Sequence, residues 1–417
     1  MRILHTSDWH LGKSLEGASR MDEQEMFLED FKTLVEEKDI DLVIIAGDIY
    51  DSSNPPARAE RMFYRTLKEI TAEGKRMVFI IAGNHDNPER LVAANPLAYE
   101  QGVIMLATPK SVAPIGNCGN HRIVDSGEGY VEIDINGEKA VILSIPYPSE
   151  KRLNEVLYEE LGENERQKSY EDRMKELFNN LGKKYRDDTI NLLVSHLFVI
   201  GGEESDSERS IQLGGSLAIR NSIFPEKAQY VALGHLHKPQ SMTQSTAESM
   251  TENMGKSSPI IKYSGSPLQY SKSEIGYTKG AYIVEVFSGK KPEVEQVYFK
   301  SYKPIEVWKC DSIEEALQMC RENSSRNVWV YLEVKTDRYL NEEDIKAMKT
   351  IKKDILEIRP IIKDSEEDEE DLKSYAEKTF EELFVDFYKK EREVQPSNEI
   401  IDLFLKIVSE EEEEEEQ

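Results

Sequence analysis

The chain has 417 residues, of which 39% are apolar and 32% charged, with 53 Lys plus Arg against 80 Asp plus Glu and a net charge of −27. The apolar share is enough for packed cores and excludes a mainly disordered chain, and no apolar run approaches the ~18 residues of a membrane span. Cys118, Cys310 and Cys320 form no CxxC pair, which excludes a disulfide scaffold and makes a reducing cytoplasm the default. The length predicts two or three domains, and Met1-Arg2-Ile3-Leu4-His5-Thr6 turns polar too early for a secretory signal.

Residues 2–7 read as a short strand. Phe27, Phe31, Leu34 and Val35 give a helical spacing over 24–37, and residues 40–46 read as a buried strand. Met62, Phe63, Leu67 and Ile70 mark a second helix that stops near Gly74, followed by a buried strand over Met77–Ala82. Alternating strands and helices predict an α/β sheet covered on both faces. Further strands are expected at Ala140–Ser144, Thr189–Ser195 and Tyr230–Leu233, with a charged, helix-patterned stretch over Glu150–Tyr185. Gln240–Ser258 is polar and reads as a long surface loop. It contains Gly255-Lys256-Ser257, the tail of a P-loop, but Met250 stands where the first glycine belongs and no strand precedes it. ATP binding by this chain is therefore not supported.

After about 280 the pattern changes. Tyr282–Phe287 and Val328–Val334 are strand-like and Ile313–Glu322 helical, predicting a small α+β domain over 281–362 after a first domain over 1–280. An acidic linker (363–373) follows, then apolar helical stripes over 374–408 and an acidic tail (409–417). The stripes are Ala376, Phe380, Leu383, Phe384 and Phe387, then Ile400, Ile401, Phe404, Ile407 and Val408. Two short helices bury such stripes poorly alone. They either fold onto each other or the body, or dock on a partner, the reading we favour because the linker frees them. Asp364–Asp371 and Glu410–Glu416 hold seven acids each, yet the remainder still carries −13. That weighs against a nucleic-acid partner unless bound metal ions supply positive charge.

Five polar clusters end predicted strands: Asp8-Trp9-His10, Gly47-Asp48-Ile49-Tyr50-Asp51, Gly83-Asn84-His85-Asp86, Ser195-His196 and Gly234-His235-Leu236-His237. Ligands bind at that edge of α/β sheets. A lone cluster of this kind is commonly a turn or a surface accident; five in order are not. Asp8, His10, Asp48, Asn84, His196, His235 and His237 are too many ligands for one tetrahedral ion but suit two ions sharing a carboxylate. Mixed oxygen and nitrogen donors without thiolate favour manganese, iron or zinc over calcium. Two such ions clamp an in-line attack at phosphorus.

This order resembles that of the calcineurin-like metallophosphoesterases. Thr6-Ser7-Asp8-Trp9-His10-Leu11-Gly12-Lys13, Gly234-His235-Leu236-His237-Lys238-Pro239-Gln240 and Tyr263-Ser264-Gly265-Ser266-Pro267 are similar to the SbcD-type nuclease subunits of that superfamily. The resemblance implies a metallophosphoesterase β-sandwich flanked by helices, plus a small α+β capping domain and a C-terminal helical pair. It implies that Asp8, His10 and His237 hold one ion, that Asn84, His196 and His235 hold the other, and that Asp48 bridges them. His85 would stabilise the scissile phosphate and protonate the leaving oxygen, with the Asp51 carboxylate orienting it. Lys13 and Lys238 are either phosphate contacts or ordinary surface lysines. The implied activity is Mn²⁺-dependent DNA hydrolysis in repair, recombination and replication: a 3′→5′ exonuclease on double-stranded ends and an endonuclease on single strands and hairpins. The implied partner is an SbcC-type coiled-coil ATPase gripped by 374–408, with a homodimer inside a heterotetramer. The Gln240–Ser258 loop is longer than the family's usual stretch, and the acidic runs are expected away from the DNA track.

Overall fold

The computed structural model describes residues 1–149, 170–208, 217–242, 258–336 and 340–362, with a few positions between 383 and 404. The Gly255-Lys256-Ser257 stretch and both acidic runs lie outside the described residues. In chain order the main strands are β1 (Arg2–Thr6), β2 (Leu42–Ala46), β3 (Met77–Ile81), β4 (Val103–Leu106), β5 (Gly116–Cys118), β6 (His121–Gly127), β7 (Tyr130–Ile135) and β8 (Glu138–Ile145). These are followed by β9 (Ile190–His196), β10 (Tyr230–Gly234), β11 (Gln240–Ser241), β12 (Ile260–Tyr263), β13 (Gly280–Glu285) and β14 (Glu293–Tyr298), then β15 (Ile305–Cys310), β16 (Trp329–Thr336) and β17 (Ile355–Ile362). The longer helices are α1 (Met21–Glu37), α2 (Ala57–Ile70), α3 (Tyr170–Leu181), α4 (Ile313–Glu322) and α5 (Glu342–Ile351).

The strands form two large sheets where simple alternation predicts one. The first has the order β14-β13-β1-β2-β3-β4 and the second β11-β12-β10-β9-β8-β7-β6-β5. β1 to β4 run parallel, as do β8, β9, β10 and β12. Side-chain alternation explains the layers. In β2, Leu42, Ile44 and Ala46 join Ile142, Leu192, Val194 and Ala232 of the second sheet in one core. Val43 and Ile45 point the other way, into a core with Phe27 and Phe31 of α1 and Phe63 and Leu67 of α2. The far face of the second sheet packs Leu143, Leu193 and Leu233 against Met174 and Phe178 of α3. The result is a β-sandwich with helices on its outer faces, as the resemblance implies. Both central strand sets are buried on two faces, so they read as continuous apolar runs.

The expected boundary between 280 and 281 is corrected. β13 pairs antiparallel with β1, Leu4 opposite Ile283, and β14 pairs with β13. Residues 280–298 therefore complete the first sheet, closing the edge that β1 would otherwise expose. By compactness the chain divides into Met1–Trp308 with Asn323–Leu332 and Lys352–Ile358, and a second unit of Lys309–Glu322, Glu333–Ile351 and Arg359 onward. Within the second unit α4 and α5 pack together, and Ala316, Cys320 and Met348 are buried. Phe384 and Phe404, one from each predicted C-terminal stripe, stack at 4.0 Å, so part of each stripe is covered within the chain. Among the described residues no helix is long and apolar enough to cross a membrane.

Candidate metal centre

At the end of β1 the chain leaves the sheet but keeps its pairing with the segment after β2. Asp8 N–H donates to Gly47 O (3.0 Å), His10 N–H to Asp48 O (3.0 Å) and Leu11 N–H to Ile49 O (2.9 Å). Trp9 anchors this segment. Its indole packs edge-on against Phe27, Phe31 and Phe63, with ring centroids 5.6, 5.3 and 6.4 Å away, and its N–H donates to Thr6 Oγ1 at 3.0 Å. On α1, Gln24 Nε2 donates to the His10 carbonyl (2.8 Å) and Gln24 Oε1 accepts from Gly12 N–H (3.0 Å). The preceding residue, Glu23, forms a buried ion pair with Arg20 and accepts the Trp329 indole N–H at 2.7 Å.

Asp8, His10, Asp48 and His235 all have left-handed or otherwise positive φ, at 54°, 44°, 51° and 107°. Such backbone costs about 1–3 kcal/mol per non-glycine residue and persists where the surroundings impose it. Here it turns side chains from both sheets toward one point. Two glycines leave the room: a Cβ on Gly83 would stand 2.0 Å from Asp48 Oδ1, and one on Gly234 would stand 1.9 Å from the Ala46 carbonyl oxygen.

All seven predicted ligands meet at that point. His10 Nε2 lies 3.0 Å from His237 Nε2 and 3.6 Å from Asp48 Oδ2. His196 Nε2 lies 3.5 Å from the same Asp48 oxygen and 2.9 Å from Asn84 Oδ1, which is 3.4 Å from His235 Nδ1. A carboxylate oxygen of Asp8 falls within 4.8 Å of ring nitrogens of His10 and His237, and the same limit groups Asp8 with Asp48 and His196. One Asp48 oxygen thus stands close to two imidazoles, those of His10 and His196. Both carboxylates and all four of these imidazoles are buried.

The surroundings set the charge states. Burial pushes the Asp8 carboxyl up to about 6, although His196 and His237 pull it back. For Asp48 burial acts upward too, but the imidazoles of His196, His10 and His85 outweigh it and hold the carboxyl well below its usual range. Burial brings His10 down to about 3 and His235 well below the ordinary imidazole value. For His196 burial acts downward, yet Asp48 and Asp8 carry it up to about 9. Asp48 is therefore ionised and His10 and His235 are neutral, whereas His196, held protonated by the two carboxylates, would give up that proton to a bound ion, as metal ligands must. His235 Nε2 is buried without a hydrogen-bond partner, and His196 is oriented from behind, its Nδ1–H donating to the Ala46 carbonyl at 2.9 Å. The residues present thus fit a pair of divalent ions.

His85 sits beside this group, its ring 4.6 Å from that of His10 and its backbone N–H donating to Asp48 Oδ1 at 2.9 Å. The expectation for Asp51 is corrected in one respect. His85 Nδ1–H donates to the Asp51 backbone carbonyl at 2.7 Å. The Asp51 carboxylate is instead engaged by Lys13 Nζ at 2.8 Å and lies 3.5 Å from His10 Nδ1. Lys13 is thereby a partner of Asp51, and Lys238 pairs with Glu203. Asp86 ties the loops together by accepting N–H groups of Gly83 (2.8 Å), Tyr50 (3.0 Å) and Ile49 (3.2 Å). Sequence reasoning missed Ser207, Glu208, Glu274 and Lys279 around His237. They belong to no motif, and only the fold brings them together.

Two family profiles match the chain: calcineurin-like phosphoesterase over residues 1–239, and Type 5 capsule protein repressor C-terminal domain over residues 301–392. The SbcD subunit of the SbcCD nuclease of Bacillus subtilis (strain 168) is 36% identical over 416 residues, 99% of each chain. The SbcD subunit of the SbcCD nuclease of Staphylococcus epidermidis is 28% identical over 367 residues, 88% of this chain and 87% of its own. Among solved structures, a dimetal phosphatase from Danio rerio covers 71% of this chain and 98% of its own at 13% identity and a TM-score of 0.37.

Proposed function

This chain belongs to the calcineurin-like phosphoesterase family and, within it, to the SbcD subunits of SbcCD nucleases, and we propose that it cuts DNA phosphodiester bonds with two divalent ions, manganese first among them. Asp8, His10 and His237 would hold one ion, Asn84, His196 and His235 the other, and Asp48 both. The observation that carries this reading is the single Asp48 oxygen 3.6 Å from His10 Nε2 and 3.5 Å from His196 Nε2. When bound, the ion pair supplies charge neutralisation at the phosphate and a nucleophile at neutral pH.

The chain's own contribution is position and one proton. His85 donates Nδ1–H to the Asp51 carbonyl, and we assign its imidazole to protonating the leaving oxygen. Asp51 acts twice, holding His85 by its carbonyl and facing His10 with its carboxylate. We assign residues 305–362 to choosing the DNA end or hairpin. We assign 374–408 to an SbcC-type coiled-coil ATPase, which would couple ATP and bring basic surface to a chain of net charge −27. The setting is cytoplasmic DNA repair, recombination and replication. A homodimer has a candidate surface in an apolar groove of about 500 Å³ lined by Tyr64, Leu67, Ala94, Leu97, Ala98 and Val103, where Leu97 is 72% exposed.

The test is a Mn²⁺-dependent assay on hairpin DNA, blunt duplex and a dye-linked phosphodiester, with the chain alone and with its ATPase partner. We expect DNA cleavage, enhanced by the partner. Activity confined to the small ester would overturn the DNA reading in favour of a small-molecule phosphoesterase.

A further inference from the structure

His237 is held from behind by a partly buried polar cluster whose Ser207, Glu208, Glu274 and Lys279 lie outside every motif of the site. Glu274 is fully buried at the end of the short helical turn Lys272–Glu274. Its Oε1 accepts from Ser207 Oγ and lies 3.5 Å from His237 Nδ1, and Ser207 Oγ is itself hydrogen-bonded to His237 Nδ1. Lys279, also buried, pairs with Glu274 Oε2 and donates to the His237 carbonyl (2.8 Å) and to Ser266 Oγ (2.8 Å). Glu208 Oε1 accepts the His237 backbone N–H at 2.7 Å. The residue is thus gripped at its amide, its carbonyl and one ring nitrogen.

The proton order in this chain is determined. An ionised carboxylate only accepts, so the Ser207 hydroxyl proton points at Glu274. The hydroxyl lone pair then faces the imidazole and requires an N–H there. His237 Nδ1 therefore carries a ring proton, which leaves Nε2, on the side of His10 and Asp8, as the nitrogen available to an ion. We propose that Glu274 is a positioning residue that, relayed by Ser207 and charge-balanced by Lys279, fixes His237 in the tautomer and orientation needed to bind one of the two ions. The proposal rests on the metal-centre reading above. His196 obtains the same service from the Ala46 carbonyl, whereas His237 depends on side chains that substitution can remove.

The test is a manganese titration of the full-length chain by calorimetry, with thermal unfolding in EDTA as a measure of the metal-free fold. Ser207→Ala and the charge-balanced pair Glu274→Gln with Lys279→Met should each weaken one of the two ions by about 10- to 100-fold, the usual effect of losing such a partner. The other ion and the metal-free melting temperature should stay unchanged. Ser207→Thr, which keeps the hydroxyl, should restore wild-type binding. Two ions bound at wild-type affinity by Ser207→Ala and by the double variant would overturn the proposal, as would equal weakening of both ions with a lowered metal-free melting temperature. His237→Ala separates the two readings. If it binds both ions normally, the metal-centre reading fails. If it loses one ion while Ser207→Ala loses none, only the positioning role of Glu274 fails.

Discussion

At the scale of single residues, the proposed function separates groups that would hold ions from His85, which would act on the substrate. His85→Ala should leave metal stoichiometry intact and lower DNA cleavage by about 10²- to 10⁴-fold, the range for loss of a general acid or base; calorimetry and a hairpin assay on one preparation check both halves. Gly83→Ala should act on the ions themselves, because its Cβ would meet Asp48 Oδ1 at 2.0 Å. Displacement of the shared carboxylate should weaken both ions together, and a variant that binds two ions normally would contradict the crowding. All seven converging side chains were legible in the sequence, because each lies in a short run after a strand and strand ends are rigid. The Asp51 carbonyl was not, since a backbone acceptor leaves no mark in residue identity. Glu274 and Ser207 were not, since 67 residues separate them and neither belongs to a motif.

Among elements, the strands buried on both faces were legible from their apolar runs, and their ends are where the site residues fall. What escaped was the meander β5 to β7 that leads into the expected strand β8. Its strands mix polar with apolar residues instead of forming an apolar run, yet a signal was present: Asn136-Gly137 between the alternating Tyr130-Val131-Glu132-Ile133-Asp134-Ile135 and β8. Asn136 and Gly137 have φ of 55° and 89°, as a tight hairpin turn requires. The strand at 280–285 was legible as a strand but not as a partner of β1, because pairing between the two ends of so long a stretch has no local signature. Trp9 shows how an element supports the site without touching an ion. Trp9→Ala should cost about 3–5 kcal/mol of stability, read by chemical denaturation of the metal-free protein. Glu23→Ala strands the buried Arg20 guanidinium and should cost a similar ~3–5 kcal/mol; a loss under about 1 kcal/mol would show that this ion pair does not constrain α1.

For the whole molecule, the acidic balance and the DNA substrate are reconciled by division of labour. In the proposed function, positive charge at the cut would come with the ions and basic surface with the partner. Stripping metal with EDTA should therefore abolish cleavage without unfolding the chain, since the two sheets pack through apolar cores that contain no ligand. If the apolar groove beside α2 joins two copies, Leu97→Asp should convert a dimer to a monomer in sedimentation while small-ester hydrolysis persists.

Glu23 and Gln24 occupy neighbouring positions on one turn of α1, the first clasping the indole of Trp329 and the second the peptide oxygen of His10. Any shift of the buried Trp329 indole would therefore pull on the same turn that steadies His10. The strand β16 and the segment after β1 are tied to each other through that single turn.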